Sequence, residues 1–184
     1  MLKIVASRVL YRRHWIAAGL VCLPLCATAL AAEFSPASVE FAPAVEAALQ
    51  SKYGAPEAAA VRSIVVDRMS AALKAAGGKC NLALDVVIER AAPSHPTMSQ
   101  QFNDPSLDPI RTVFNDGGAA LSGHVRDAGG RELATVRHKH FNDDLRLTSA
   151  SKVPWSDARV SIDQFAHMLV AECKRQTSAA NPAG

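Results

Sequence analysis

Apolar residues recur at helical spacing in two long stretches of the chain. In residues 56–76 they return every four positions, with Pro56 at the start and Gly77 just after the end, as is typical of helix termini. Residues 155–175 carry a second stripe at three- and four-residue steps, and residues 42–53 are predicted to form a shorter helix. The two stripes, which we expect to face the core, are Val61, Val65, Met69 and Leu73, and Trp155, Ala158, Ile162, Phe165, Leu169 and Cys173.

Alternation of apolar and polar residues predicts the strands. Residues 82–89 alternate as a strand with one buried face. Residues 120–126 and 131–141 form a predicted hairpin, because the glycines of Asp127-Ala128-Gly129-Gly130 can take the positive φ of a tight turn. A brief strand is expected at 39–41. This order of elements predicts an α+β fold, with an antiparallel sheet of three to four strands, two long helices packed on one face, and one disulfide.

The segment 92–118 interrupts this pattern with four prolines among polar residues. Long loops in compact domains are usually functional or mobile. We expect this one to pack back on the body with a helical turn, and two interpretations stay open: a ligand or partner site, or an ordered cover over one sheet face. The apolar residues on which this expectation rests are Met98, Phe102, Leu107, Ile110, Val113 and Phe114.

The first thirty-one residues are predicted to be a secretory signal peptide. A basic start precedes an apolar run over residues 15–30, which is shorter than the roughly twenty residues of a membrane-spanning helix and contains Pro24. Cleavage is expected after Ala31, with a second choice after Ala29. The protein is therefore predicted to be exported to the periplasm as one domain over residues 32–176, followed by a disordered tail at 177–184.

Removal of the signal peptide changes the charge of the chain. Lys3, Arg8, Arg12 and Arg13 are lost with no acidic residue, so the formal net charge falls from +3 to −1. Neither a nucleic-acid partner nor an anionic membrane surface is predicted, because no basic stripe remains. No stable membrane anchor is expected either, and the oligomeric state stays open.

The cysteines indicate oxidation rather than lipid attachment. Cys22 and Cys26 leave with the signal peptide, and large residues precede both of them where lipoproteins have a small one. Cys80 and Cys173 remain in an oxidising compartment, where one structural disulfide is expected. A redox pair or a metal site is the alternative, but both chemistries favour the close C-x-x-C spacing that this chain lacks.

Three histidines are candidate ligands of a metal ion. His138 and His140 are two apart on a predicted strand and so project to the same face, as two imidazole ligands would. His124, on the neighbouring strand, is the third candidate. The alternative is that these are solvated strand histidines, and no cofactor is predicted.

Other candidate chemistry is incomplete in the sequence. Ser122-Gly123-His124 places a serine beside a histidine without a nucleophile elbow, so hydrolase activity ranks third. Asp143-Asp144 after the hairpin is a solvated loop or a cation site. Gly117-Gly118 lacks the lysine of a phosphate-binding loop. We therefore expect no enzymatic activity.

Five sequence runs carry a resemblance to known proteins. They are Ser94-His95-Pro96-Thr97, Asp104-Pro105-Ser106-Leu107-Asp108-Pro109, Gly117-Gly118-Ala119, Arg126-Asp127-Ala128-Gly129-Gly130 and Trp155-Ser156-Asp157-Ala158-Arg159. Together they resemble uncharacterised exported proteins of Gram-negative proteobacteria, and the resemblance implies location and fold but no mechanism. A looser resemblance is to the small α+β domains of envelope auxiliary lipoproteins, although this chain lacks their lipid-attachment pattern.

The leading functional hypothesis is a non-enzymatic binding or envelope-assembly accessory factor. It would contact an envelope protein partner through the long loop and a face or edge of the sheet. A metal-binding periplasmic protein that uses the strand histidines is the alternative, and a hydrolase is the third.

Overall fold

The computed structural model describes residues 38–78, 80–114, 116–142 and 153–180. The predicted signal peptide with its cleavage site at Ala31, the pair Asp143-Asp144, and residues 181–184 lie outside the described residues.

Four strands form one mixed sheet in the described part of the chain, in the order β1-β2-β3-β4. They are β1 (Ser38–Phe41), β2 (Ala83–Ala92), β3 (Gly118–Arg126) and β4 (Glu132–Phe141). The pairs β2-β3 and β3-β4 are antiparallel, which confirms the predicted hairpin, but β1 pairs with β2 in parallel. The prediction of an antiparallel sheet is therefore wrong for β1. The connection from β1 to β2 is helical, and it returns the chain to the end of the sheet where β1 began, so that β2 runs parallel to β1.

The helices are α1 (Val45–Tyr53), α2 (Ala55–Ala75), α3 (Met98–Asn103) and α4 (Ser156–Ala180). Helix α4 continues past residue 176, so the prediction of a disordered tail from residue 177 is wrong for 177–180. The hydroxyl of Thr177 donates to the carbonyl of Cys173, 2.9 Å away, within this last part of the helix.

The predicted core stripes of α2 and α4 are confirmed, since every residue in them is buried. Helix α4 packs across β3 and β4, whereas α2 packs mainly against α4 and reaches the sheet at β1. The closest approach of α4 to the sheet is at Gly123, where a Cβ atom would lie 2.6 Å from Leu169 and 2.8 Å from Phe165. The two long helices are thus present, and α4 is the one that lies directly on the sheet.

The strand register divides the sheet into two faces. Gly123 faces α4, so its cross-strand partner Val136 and the neighbouring pair Leu121 and His138 lie on this helix face. The intervening residues, including Arg137 opposite Ser122, lie on the opposite face, which we call the outer face.

The predicted disulfide is confirmed. It joins Cys80, just before β2, to Cys173 in α4, with 5.9 Å between the two Cα atoms. Both cysteines are buried in the core between helix and sheet.

Candidate functional site

The segment between β2 and β3 begins with a buried stretch, Pro93–Thr97, rather than with a solvated loop. Ser94 holds it in place, because its amide donates to the carbonyl of Pro154 at 2.7 Å and its carbonyl accepts from the amide of Phe114 at 2.8 Å. The Ser94 hydroxyl also lies 2.9 Å from the hydroxyl of Ser156 at the start of α4. Both ends of the segment are thereby tied to the residues around the start of α4.

Gly117 closes the base of the segment against Ser94. A Cβ atom on Gly117 would lie 2.6 Å from the Cβ of Ser94 and 2.9 Å from its Cα, so only glycine permits this approach. The carbonyl of Gly117 accepts from the amide of Asn142 at 2.9 Å, just after β4. The glycine pair noted in the sequence therefore serves the packing of the segment.

Helix α3 is fixed at its start by Thr97, which is fully buried. The Thr97 hydroxyl accepts from the amide of Gln100, and the Gln100 side chain accepts from the amide of Thr97, which together form a capping box. The same hydroxyl donates to the carbonyl of Tyr53 at the end of α1, 3.1 Å away. The orientation of α3 is therefore set by a side chain that itself has no contact with solvent.

Met98 and Phe102 lie one turn apart on α3 and are 77% and 87% exposed. We call this pair the apolar ridge. Ile110, further along the segment, is 58% exposed, whereas Leu107, Val113 and Phe114 are half-buried.

The helical turn predicted for the segment is confirmed as α3. The prediction that its apolar residues pack back on the body is wrong for Met98, Phe102 and Ile110. The buried polar residues Ser94 and Thr97 carry the attachment instead, which leaves these apolar side chains to face solvent.

Asp104 shapes the chain just after α3. The hydroxyl of Ser106 donates to the Asp104 carboxylate at 2.6 Å and its amide donates at 3.0 Å, and these bonds lower the pKa of Asp104. The result is a tight turn directly after the last residue of α3, Asn103.

A shallow groove of about 210 Å³ lies between α1 and β2, next to the segment. Its floor includes Leu49 and Tyr53, and Lys52 and Arg90 line it as well. Both cations lie over aromatic rings: the guanidinium of Arg90 is 4.4 Å from the Phe141 ring centroid, and the ammonium of Lys52 is 5.0 Å from the Tyr53 ring centroid.

The structure does not bring the three candidate histidines together. His138 and His140 share the helix face of β4 as predicted, but His124 pairs with Thr135 on the outer face. His138 is half-buried, with no hydrogen-bond partner for its Nε2 atom in the described residues, and His140 is exposed. Within the described parts of the chain, no three His, Cys, Asp or Glu residues are placed to hold a metal ion.

His124 belongs to a polar network on the outer face that was not predicted from the sequence. Its Nδ1 atom lies 2.9 Å from the Glu132 carboxylate, which also accepts from the Thr135 hydroxyl. These bonds, that from Thr135 above all, lower the pKa of Glu132. Arg126 extends the network with a 2.9 Å bond to Asp85 on β2. The period-two pattern could have placed these residues on one face, but their pairing depends on the register.

Ser122 and His124 share the outer face of β3, as their spacing requires. No hydrogen bond joins them among the described residues, and the Nδ1 atom of His124 is engaged by Glu132. Within the part of the chain that the structure describes, this serine therefore has no contact with a general base that would activate it as a nucleophile.

Comparison with protein-family models, with curated proteins and with solved structures finds no match to this chain. Among the helices of the described residues, none has the length and apolar character needed to cross a membrane.

Proposed function

We propose that this protein is a non-enzymatic binding or assembly factor of the cell envelope that contacts a partner protein through the apolar ridge. The observation that carries the proposal is the exposure of Met98 and Phe102, one turn apart, on a helix whose base is buried. Single exposed apolar residues are ordinary on protein surfaces. A methionine and an aromatic residue presented side by side are the residue types that are enriched in protein interfaces.

The fixed base of α3 supports this function energetically. Binding through a mobile loop loses free energy because the loop must be ordered, whereas a preorganised surface avoids that cost. Ser94 and Thr97 hold the segment through buried hydrogen bonds to residues next to α4 and at the end of α1. The ridge is thus presented in one orientation, and a partner with an apolar pocket would bind it without reordering α3.

A periplasmic location is part of the proposal. The basic and apolar N-terminal pattern supports export, and so does the disulfide between Cys80 and Cys173, the two cysteines that remain after the predicted cleavage. The partner is accordingly sought among the proteins of the envelope.

Site-specific photocrosslinking tests the proposal. A photoreactive phenylalanine analogue in place of Phe102, in cells that export the protein, is expected to yield a discrete crosslinked product. The same analogue in place of Met168, which is exposed on α4, is the control and should yield none. The proposal fails if position 102 gives no product, or if both positions give the same products.

A matched pair of variants gives a second test. Met98→Ser/Phe102→Ser should abolish co-purification of the partner that crosslinking identifies while leaving the unfolding midpoint unchanged, because both side chains are in solvent. Val160→Ser/Met168→Ser makes the same kind of change on the exposed side of α4 and should leave co-purification intact.

A further inference from the structure

Strand β4 lies at one end of the sheet and is ten residues long. It pairs with β3 on one side, and in the described part of the chain no strand pairs with its other side. An edge strand presents a row of backbone N–H and C=O groups that an extended segment of another chain can pair with. Considering the described residues alone, β4 therefore offers a longer open edge than β1, which has four residues.

Two positive charges mark this edge. Arg137 and Lys139 are exposed on the outer face, two residues apart, opposite the small residues Ser122 and Ala120 of β3. Neither forms an ion pair within the described residues, although Arg126 on the neighbouring strand is paired with Asp85. Among the described residues, the charge of these two side chains is thus not compensated by an ion pair.

These charges disfavour one partner and favour another. Two copies of β4 paired edge to edge would bring like charges together across the strands, which is unfavourable, and natural proteins use such charges to prevent self-association at edges. A strand with carboxylates at alternate positions would instead form opposite-charge pairs across the new strand boundary. Specificity of this kind combines attraction to one partner with repulsion of the other.

We propose that the open edge of β4 binds an extended acidic segment of a partner protein as an additional strand, with carboxylates of the partner facing Arg137 and Lys139. This inference rests on the proposed function, since it names the chemistry of a partner for a binding protein. It concerns a surface separate from the apolar ridge, and the two surfaces are tested independently.

Peptide binding to the oxidised protein, purified from cells that export it, tests the inference. The probe is a fluorescein-labelled ten-residue peptide of alternating glutamate and valine, and the comparison probe has lysine in place of each glutamate. We expect fluorescence anisotropy to show at least tenfold tighter binding of the glutamate peptide at low salt. Among the backbone amides of residues 132–141, the alternate ones that point away from β3 should gain protection from hydrogen exchange when it binds.

Charge reversal at the edge makes the test specific. Arg137→Glu/Lys139→Glu should weaken binding of the glutamate peptide at least tenfold and should create binding of the lysine peptide, which would also show that the variant is folded. The control Lys74→Glu/Arg159→Glu makes the same change in net charge at exposed helix positions and should retain the original preference.

Three results would overturn the inference. They are equal binding of the two peptides, an unchanged preference after charge reversal at residues 137 and 139, and a dimer of the protein that dissociates on that reversal. Met98→Ser/Phe102→Ser should bind the glutamate peptide like the unmodified protein. Failure of the edge and failure of the ridge are therefore distinguishable.

Discussion

Gly123 is the residue on which the contact between α4 and the sheet depends. With no side chain at this position, Leu169 and Phe165 of α4 lie directly against the backbone of β3. A larger residue would force α4 away from the sheet or push both side chains out of their favoured rotamers. In the sequence the same glycine is only the middle residue of Ser122-Gly123-His124, and the local pattern does not indicate that a helix packs against it.

The substitution Gly123→Ala should therefore destabilise the protein. We expect the free energy of unfolding to fall by about 1–3 kcal/mol, the usual cost of overpacking a core, as measured by urea denaturation. Gly129→Ala is the matched control, because its Cβ atom would meet only the Asp127 carboxylate, at 3.3 Å. An equal loss in both variants would contradict the packing of α4 at Gly123.

Glu132 is the titratable residue whose surroundings make the clearest prediction. The hydrogen bond from Thr135 is the main cause that lowers its pKa below the ordinary value of 4.5. Thr135→Val removes that donor, so the pKa of Glu132 should rise in an NMR titration of its carboxyl group. Thr135→Ser keeps the hydroxyl and should keep the lowered pKa.

The pH dependence of stability follows from the same bond. Because the folded protein holds Glu132 in its charged form, this contribution is present above the unfolded pKa and is lost as the pH falls through the folded pKa. Thr135→Val should thus be less stable than the unmodified protein at pH 7, and the difference should shrink on acidification below about pH 4.5. A difference that stays constant down to pH 2 would contradict this role of Glu132.

At the scale of elements, α3 depends on the buried side chain of Thr97. Thr97→Val keeps the shape but removes both the cap and the bond to the Tyr53 carbonyl, which together should cost about 1–2 kcal/mol. Amides of residues 98–103 should lose about tenfold of their protection from hydrogen exchange. Asn103→Ala, at the exposed end of α3, should leave this protection unchanged. If Thr97→Val also left the protection unchanged, the anchoring of the apolar ridge by Thr97 would be refuted.

The disulfide joins two elements that are 93 residues apart in sequence. On the chain-entropy model, closing a loop of this length lowers the free energy of the folded state relative to the unfolded one by about 4–5 kcal/mol. Cys80→Ala/Cys173→Ala should lose a large part of this in urea denaturation. A double variant as stable as the oxidised protein would mean that the core alone fixes α4 on the sheet.

The elements themselves were largely predictable, and the errors have physical causes. The stripe of α4 and the alternation in β2 encode burial directly, because each period matches one face of a helix or strand. The parallel pairing of β1 is a matter of connection: two helices lie between β1 and β2, and the rule that parallel neighbours need such a crossover could have predicted it. The length of α4 was underestimated because small polar residues give no helical stripe.

At the scale of the whole molecule, the sequence indicated which segment holds the candidate site but not which of its side chains are buried and which face solvent. The proline-rich composition of 92–118 identified the segment as unusual. That Met98 and Phe102 face solvent while Ser94 and Thr97 are buried inverts the ordinary preference of these residue types. Only the fold, which brings Tyr53 and Ser156 to the segment, supplies the hydrogen-bond partners that make this inversion stable.

The pairing of β3 with β4 likewise determines whether the three candidate histidines can meet. The two-residue spacing of His138 and His140 predicted their shared face correctly. Whether His124 could join them depended on the register between β3 and β4, because a shift of one residue would have moved it to the other face.

The protein as a whole is thus proposed to act outside the cytoplasm as an oxidised binding domain with two separate surfaces, the apolar ridge and the edge of β4. Export is the premise on which the choice of partner depends, and the disulfide between Cys80 and Cys173 supports it. Mass spectrometry measures directly both the covalent state of the chain and any metal ion or small molecule that it retains.

The most direct measurement is the intact mass of the untagged protein from its own envelope fraction, under native and non-reducing conditions. We predict a chain that begins at Ala32, two hydrogens lighter than the reduced form, with no metal or small molecule retained. A chain that keeps its first thirty-one residues, or free thiols at Cys80 and Cys173, would contradict export into an oxidising compartment. A stoichiometric metal that is lost in His138→Ala/His140→Ala would contradict the binding function and establish the metal-binding alternative.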